Sequence, residues 1–163
     1  MTSHDPTHCR ERFATLLAGQ NAQLAALEDL LKHEYALLEA QDVEGLENAG
    51  SARKQCVDDI LRFDDERRAL ARGTGREDDS AGLHSLLAWC DPTGQLWSAM
   101  QEYRERTQRC REQNDRNGFL VIGRMQRAAG KLNVLNAGTS NGNTYGPGGG
   151  KNPGYGTKLT TRA

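Results

Sequence analysis

Apolar residues recur along the first part of the chain at alternating steps of four and three. The positions are Phe13, Leu17, Gln20, Leu24, Leu27, Leu31, Glu34 and Leu38. This alternation is the heptad repeat by which an amphipathic helix packs one stripe against another helix, here with two polar interruptions. Pro6 suits the first turn of such a helix. The pattern predicts a first helix over about residues 7–40.

A second stripe follows after a short break at Gln41 and Asp42. The side chain of Asp42 can cap a helix N-terminus, and the same alternation of steps then leads from Leu46 to Leu70. The pattern predicts a second helix over about residues 42–72. Because the break is so short, we expect the first two helices to be antiparallel neighbours.

Two further helices are predicted on either side of Asp91 and Pro92. A short apolar helix is expected over about residues 82–89 and a long one over about residues 92–137, with Asp91 as its cap and Pro92 at its first position. The stripe of the long helix keeps its alternating steps until Val121, where two steps of four follow each other. Such a shift locally unwinds a supercoil.

The composition of the chain changes near its end. Three glycines interrupt the second half of the long helix, each at a cost of about 0.5–1 kcal/mol relative to alanine, so we expect that half to be the more mobile. From residue 138 onward glycine is frequent, and such a segment buries too little apolar surface to offset its chain entropy. The sequence predicts a helical bundle over residues 1–137 and a flexible glycine-rich tail over residues 138–163.

The overall composition favours helices over sheets. Hydrophobic residues make up 36% of the chain and aromatic residues 6%, too few to fill a thick core between sheets, whereas a helix buries only one stripe. We therefore expect an all-α protein, an antiparallel helical bundle or coiled coil of about three long helices and one short helix, with a disordered C-terminal tail. No segment approaches the roughly 20 apolar residues of a membrane span, so no membrane insertion is expected.

Charge is divided unevenly along the chain. Residues 1–115 carry 14 Lys/Arg and 22 Asp/Glu, whereas residues 116–163 carry seven Lys/Arg and no Asp/Glu. A basic end can bind nucleic acid. Its charges are sparse and few aromatic residues accompany them, so we do not expect nucleic acid as the partner. The alternatives that remain open are a generic coiled-coil adaptor or assembly protein and a nucleic-acid-binding regulatory module that uses the basic end.

No group of polar residues has the spacing of an active site. His4, His8 and Cys9 lie close together in sequence, but a fourth ligand is missing, so no metal site is predicted. The four cysteines form no C-x-x-C pair, which favours reduced thiols, as in the cytoplasm. We expect no catalytic residues, no cofactor and no enzymatic activity.

The region around residue 118 carries more apolar surface than one stripe needs. Asn114 and Asn117 take two successive stripe positions. A buried asparagine pair commonly fixes helix register, and the alternative is that both side chains are solvated at an imperfect stripe. Residues 118–122 are apolar on nearly every side of a helix, and Met125 adds an adaptable side chain. Surplus apolar surface is typical of a protein-binding site. The alternative is that the short helix covers it.

Two motifs in this part of the chain carry a family resemblance. The run Asn114-Asp115-Arg116-Asn117-Gly118-Phe119-Leu120-Val121 resembles the N-x-x-N-G motif, followed by apolar residues, of the FlgN family of flagellar export chaperones. The run Thr144-Tyr145-Gly146-Pro147-Gly148-Gly149 is similar to the Tyr-Gly-x-x-Gly element in the tail of that family. The predicted order of helices and tail is similar too.

The resemblance implies a cytoplasmic, non-enzymatic chaperone of flagellar type III export. The family binds the hook–filament junction proteins FlgK and FlgL through its C-terminal helical region and delivers them to the cytosolic domain of the export gate protein FlhA. By position, the implied cargo-binding residues are Asn114, Asn117, Gly118, Leu120, Val121, Ile122, Met125, Ala129, Leu132 and Leu135. Tyr145 and Gly146 take the place of the family's gate-docking element.

Overall fold

The computed structural model describes residues 5–140, which form four α-helices. They are α1 (Pro6–Ala40), α2 (Val43–Gly73), α3 (Ser80–Cys90) and α4 (Trp97–Ser140). No strand occurs within these residues, and the all-α helical bundle predicted from the sequence is confirmed. No helix in this range is both long and apolar enough to cross a membrane. Nearly all of the predicted glycine-rich tail lies outside the described residues.

Short aspartate caps define the beginnings of α1 and α2. The side chain of Asp5 accepts a hydrogen bond from the backbone N–H of Thr7 (3.0 Å), and that of Asp42 accepts one from Gly45 (2.9 Å). Between the two helices Gln41 adopts a left-handed conformation with φ 59°, which closes α1 and reverses the chain. The predicted cap at Asp42 is thereby confirmed.

The helices α1 and α2 are antiparallel. Arg12 near the start of α1 forms an ion pair with Glu66 near the end of α2 (2.9 Å), and Glu34 near the end of α1 pairs with Arg53 in the first half of α2 (3.2 Å). The partners thus run in opposite directions along the two helices. The predicted antiparallel arrangement is confirmed.

The helix α4 runs parallel to α1. Asn21 of α1 donates a hydrogen bond to the carbonyl oxygen of Ala99 (3.1 Å), and further along both helices Arg124 donates one to the carbonyl oxygen of Glu39 (3.1 Å). Contact partners therefore advance together along the two helices. Since α1 ends at Ala40, Arg124 lies level with its C-terminal end.

Two clusters of buried side chains form the core of the bundle. One consists of Cys9, Phe13, Leu17, Ala71, Leu86, Cys90, Leu96 and Met100. The other consists of Leu24, Leu31 and Cys110. The short helix α3 contributes Leu86 and Cys90 to the first cluster and so closes that end of the bundle. Most predicted stripe positions of α1 are buried, including the polar Gln20 and Glu34.

The predicted beginning of the fourth helix at Pro92 is wrong, because α4 begins at Trp97. Asp91 does act as a local cap, since its carboxylate accepts a hydrogen bond from the backbone N–H of Leu96 (2.8 Å). The intervening residues form turns in which Gly94 has φ 71°, a conformation that a right-handed helix does not contain.

Two other helix bounds differ from the sequence prediction. The short helix α3 is longer than predicted, because Asp79 caps it by accepting a hydrogen bond from the N–H of Gly82 (2.8 Å). The long helix α4 continues to Ser140, three residues beyond the predicted end. Glycine at position 138 weakens a helix by about 1 kcal/mol but does not break it.

The chain divides into two compact units, Met1–Arg124 and Met125–Ala163. The described part of the second unit is the remainder of α4, residues 125–140. The sequence pattern predicts one bundle up to residue 137. The first unit ends earlier, because the end of α1 is level with Arg124.

Candidate functional site

An acidic side chain of α1 fixes the middle of α4. Glu28 is buried, and its carboxylate accepts hydrogen bonds from Arg109 (3.0 Å), Lys32 (3.2 Å) and Arg106 (3.5 Å). The hydrogen bond from Arg109 lowers the pKa of Glu28 most, while its burial acts in the opposite direction. The ionised carboxylate therefore holds two arginines of α4 against α1.

Asn117 is the next link between these helices. It is 5% exposed, and its amide nitrogen donates to the carbonyl oxygen of Leu31 (2.9 Å) and to Glu34 (3.5 Å). Its amide oxygen accepts from Gln113 (3.1 Å). A buried amide with partners on both sides fixes the position of α4 along α1.

Asn114 occupies a different environment from Asn117. Its side chain is exposed, and its oxygen accepts a hydrogen bond from Arg53 of α2 (2.6 Å). The same arginine also pairs with Glu34 of α1. Of the two alternatives for this pair, burial holds at Asn117 and exposure at Asn114, where a bridging arginine from α2 reaches the side chain at the edge of the bundle.

Arg124 forms the last contact of α4 with α1 within the first unit. Its guanidinium donates hydrogen bonds to the carbonyl oxygens of Leu38 and Glu39. These carbonyls belong to the last turn of α1, where unpaired oxygens carry partial negative charge. A cation at this place satisfies them and caps α1.

The apolar stripe of α4 changes from buried to exposed along the first unit. Leu96, Met100 and Cys110 are buried, whereas Val121 is 37% exposed and Ile122 is 52% exposed. Neither side chain is covered by α3, which packs in the first core cluster at the other end of the bundle. The alternative that the short helix covers this surface is therefore wrong.

The second unit exposes apolar side chains throughout its described part. Its large apolar side chains Met125, Leu132, Val134 and Leu135 are all more than half exposed, and Ala129 is exposed as well. Helical spacing places Met125, Ala129, Leu132 and Leu135 along one face. We refer to these four residues as the distal stripe.

The candidate residues are thus placed in three ways. Asn117 is buried between α1 and α4 and Leu120 is half-buried. The candidates Asn114, Gly118, Val121, Ile122, Met125, Ala129, Leu132 and Leu135 are exposed. Tyr145 and Gly146 lie outside the described residues.

Sequence reasoning missed two exposed apolar residues of α4. Phe119 is 73% exposed and lines a shallow groove with Tyr35 and Arg116, and Val134 is 72% exposed. Both lie off the heptad stripe, so a search along that stripe passes over them. The signal available in the sequence was the apolar run that contains Phe119.

Three of the four thiols, those of Cys9, Cys90 and Cys110, are buried, and Cys56 is half-buried. Burial raises the pKa of Cys90 to about 12 and also raises the pKa values of Cys9 and Cys110. A thiol with a raised pKa stays protonated at neutral pH and is a poor nucleophile. Among residues 5–140 no three His, Cys, Asp or Glu side chains are grouped so as to hold a metal ion.

The described geometry defines a helical bundle with exposed apolar surface on its last helix, the arrangement of a protein that binds other proteins. The model of the FlgN family, described as FlgN protein, matches residues 10–153. The chain therefore belongs to the FlgN family, which is a family of flagellar export chaperones. Neither the curated proteins nor the solved structures contain a match.

Proposed function

We propose that this chain is a chaperone that holds the hook–filament junction proteins FlgK and FlgL before their export. Family membership supports the general role in flagellar export. The observation that carries the choice of binding site is the exposed distal stripe on α4. A large exposed apolar surface on a folded protein commonly marks a binding site.

Helix pairing is the binding mode that suits this surface. An amphipathic cargo helix can lay its own apolar face along the distal stripe. Full burial of one Leu or Met side chain contributes about 1.5–3 kcal/mol, whereas association costs about 4–15 kcal/mol. Since the distal stripe has only three large side chains, we propose that Leu120, Val121 and Ile122 also contact cargo.

The two asparagines have a different role in this proposal. Asn117 bonds to α1 and Asn114 to α2, so both act by positioning α4. Gly118 next to them faces open space, since an added Cβ there meets no atom within 4 Å, so no packing contact requires glycine at this position. The side chains that touch cargo are the apolar ones that follow.

Aspartate substitutions separate cargo binding from folding. We expect Met125→Asp or Val121→Asp to weaken binding of purified FlgK and FlgL at least about tenfold, because a charge in an apolar contact costs several kcal/mol when unpaired. The melting temperature should change little. Leu61→Asp is the matched control, because Leu61 is an exposed apolar residue of α2. Calorimetric titration that finds all three variants equal to wild type contradicts the proposed site.

Delivery of cargo is proposed to use the segment around Tyr145 and Gly146. The family match extends through residue 153 and so includes these residues, and their Tyr-Gly-x-x-Gly pattern supports docking to the cytosolic domain of FlhA. An aromatic anchor at a small interface contributes about 2 kcal/mol, or roughly thirtyfold in affinity. The proposed location is the cytoplasm, and no catalytic step or cofactor is part of the proposal.

The docking role has its own control within the chain. We expect Tyr145→Ala to weaken binding of the cargo-loaded chaperone to the FlhA domain while cargo affinity stays the same. Tyr155 lies between glycines in a similar local sequence but outside the motif, so Tyr155→Ala should have no effect. A loss caused by Tyr155→Ala instead, or by neither change, contradicts the assignment.

A further inference from the structure

The corner between α1 and α2 is closed by its own backbone. The N–H of Gln41 donates to the carbonyl oxygen of Leu38 (3.2 Å), and the N–H of Asp42 donates to that of Leu37 (3.0 Å). The side chain of Asp42 also accepts a hydrogen bond from Gly45 at the start of α2 (2.9 Å). Such bonds satisfy groups that helix ends leave unpaired. The corner therefore holds its conformation without a contribution from α4.

Arg124 docks α4 onto this corner. The residue is half-buried, and its guanidinium donates to the carbonyl oxygens of Leu38 and Glu39, the latter at 3.1 Å. A planar guanidinium can bond two neighbouring oxygens at once, and its charge complements the negative end of the α1 dipole. Hydrogen bonds from a charged donor are stronger than neutral ones. One side chain thus joins α4 to a preformed corner.

The segment that precedes Arg124 is weakly held by apolar packing. Residues 118–123 contain four large apolar side chains, of which three are exposed. Two glycines in the same segment lower its helix propensity. Strong polar contacts with α1 lie at its two ends, at Asn117 and at Arg124. The order of this segment should therefore depend on the contact at its far end.

We infer that Arg124 is a positioning residue for cargo binding, because its contact with the corner keeps Leu120, Val121 and Ile122 helical and in place. This inference rests on the proposed function, in which those three residues contact cargo together with the distal stripe. A site that is ordered for only part of the time has an apparent affinity reduced by that fraction. Loss of the guanidinium therefore weakens cargo binding although Arg124 itself touches no cargo.

The variant Arg124→Gln tests the inference, because glutamine keeps a polar side chain but removes the charge and the fork of donors. In the free protein, amide exchange of residues 118–124 should become about tenfold faster. Calorimetric titration should show an affinity for purified FlgK that is about three- to tenfold weaker. The melting temperature of the bundle should change little, because the corner is closed by its own backbone.

Two further variants provide the comparison. Arg111→Gln removes the same charge from an exposed site of α4 and should match wild type in exchange and in affinity. Arg124→Lys keeps a cation that can donate to a carbonyl oxygen and should recover part of both losses. Arg124→Gln that behaves like Arg111→Gln overturns the inference. Faster exchange without loss of affinity, or a lysine variant no better than the glutamine variant, overturns it as well.

Failure of the proposed function appears at a different residue. In that case Met125→Asp leaves FlgK binding intact, because the distal stripe holds no cargo. If Met125→Asp abolishes FlgK binding while Arg124→Gln does not weaken it, the stripe holds cargo and only the positioning role of Arg124 is wrong.

Discussion

The two parts of α4 carry the same kind of apolar stripe but expose it to different degrees. In residues 97–124 the stripe is buried at Met100 and Cys110, and polar links to α1 accompany it at Asn117 and Arg124. In residues 125–139 all large apolar side chains are exposed. A heptad pattern therefore predicts a helix face, but whether that face is buried depends on the length of the neighbouring helix.

Helix formation in the second part is explained by its continuity with the first. Nucleating a helix is costly, whereas extending an existing one adds a hydrogen bond for each residue fixed. An isolated helix shorter than about 12–15 residues is marginal in water. Residues 125–140 extend a helix that is already nucleated in the first part, so they can stay helical with their large apolar side chains exposed.

The largest expected difference between the two regions is in the free energy of unfolding. Leu24 is buried in the second core cluster, so Leu24→Asp should lower the free energy of unfolding by about 4 kcal/mol or more. Leu132→Asp should cost less than about 0.5 kcal/mol, because Leu132 is exposed. Urea unfolding followed by circular dichroism measures both, and similar losses at the two sites would show that Leu132 belongs to the core.

Asn117 and Asn114 allow a buried and an exposed polar contact to be compared within the first unit. Asn117→Ala should destabilise the chain by about 1–3 kcal/mol, because it removes a buried amide with bonds to α1. Asn114→Ala should cost about 0.5 kcal/mol or less, because the partner Arg53 can be solvated in its place. Thermal unfolding of the two variants side by side tests this, and a reversed order contradicts the assigned roles.

The ion-pair cluster at Glu28 predicts a pH dependence with a definite sign. The folded-state pKa of Glu28 lies below its ordinary value of 4.5, so its contribution is fully present above pH 4.5 and is lost as pH falls through the folded pKa. Glu28→Gln should lower the free energy of unfolding by about 1–2 kcal/mol at pH 7. Below pH 4.5 the difference in unfolding free energy between this variant and wild type should become smaller. A difference in unfolding free energy between Glu28→Gln and wild type that stays constant with pH would contradict the assignment.

The smallest expected effect is confined to the second region. Gly130 is exposed, and an added Cβ meets no atom within 4 Å. Gly130→Ala should raise local helix stability by about 0.5–1 kcal/mol and leave the melting temperature of the bundle unchanged. Amide exchange of residues 126–136 beside a melting curve measures both quantities, and a rise in melting temperature would show that this region unfolds together with the bundle.

The bounds of α1 and α2 could be predicted closely from the sequence, because the heptad positions of both helices are buried or half-buried along their whole length. The beginning of α4 was predicted wrongly because the sequence Asp91-Pro92 is also typical of a helix N-terminus. In the structure Gly94 adopts a left-handed conformation, so the helix can begin only after it. The end of packing at Arg124 was missed because it depends on the parallel alignment of α1 and α4. That alignment is a tertiary property which no local pattern carries. The exposed Phe119 was not among the candidate residues for a different reason: it lies off the stripe, although the apolar run that contains it was visible in the sequence.

Amide hydrogen exchange of the full chain, with and without bound FlgK, tests the central claim most directly. We predict slow exchange in residues 106–124 of the free protein, because they are tied to α1. We predict much faster exchange in residues 125–139, because their large apolar side chains are exposed. Bound FlgK should slow exchange in residues 125–139 and leave α2 unchanged. Equal protection of both regions in the free protein, or no added protection of residues 125–139 when FlgK is bound, would contradict the account.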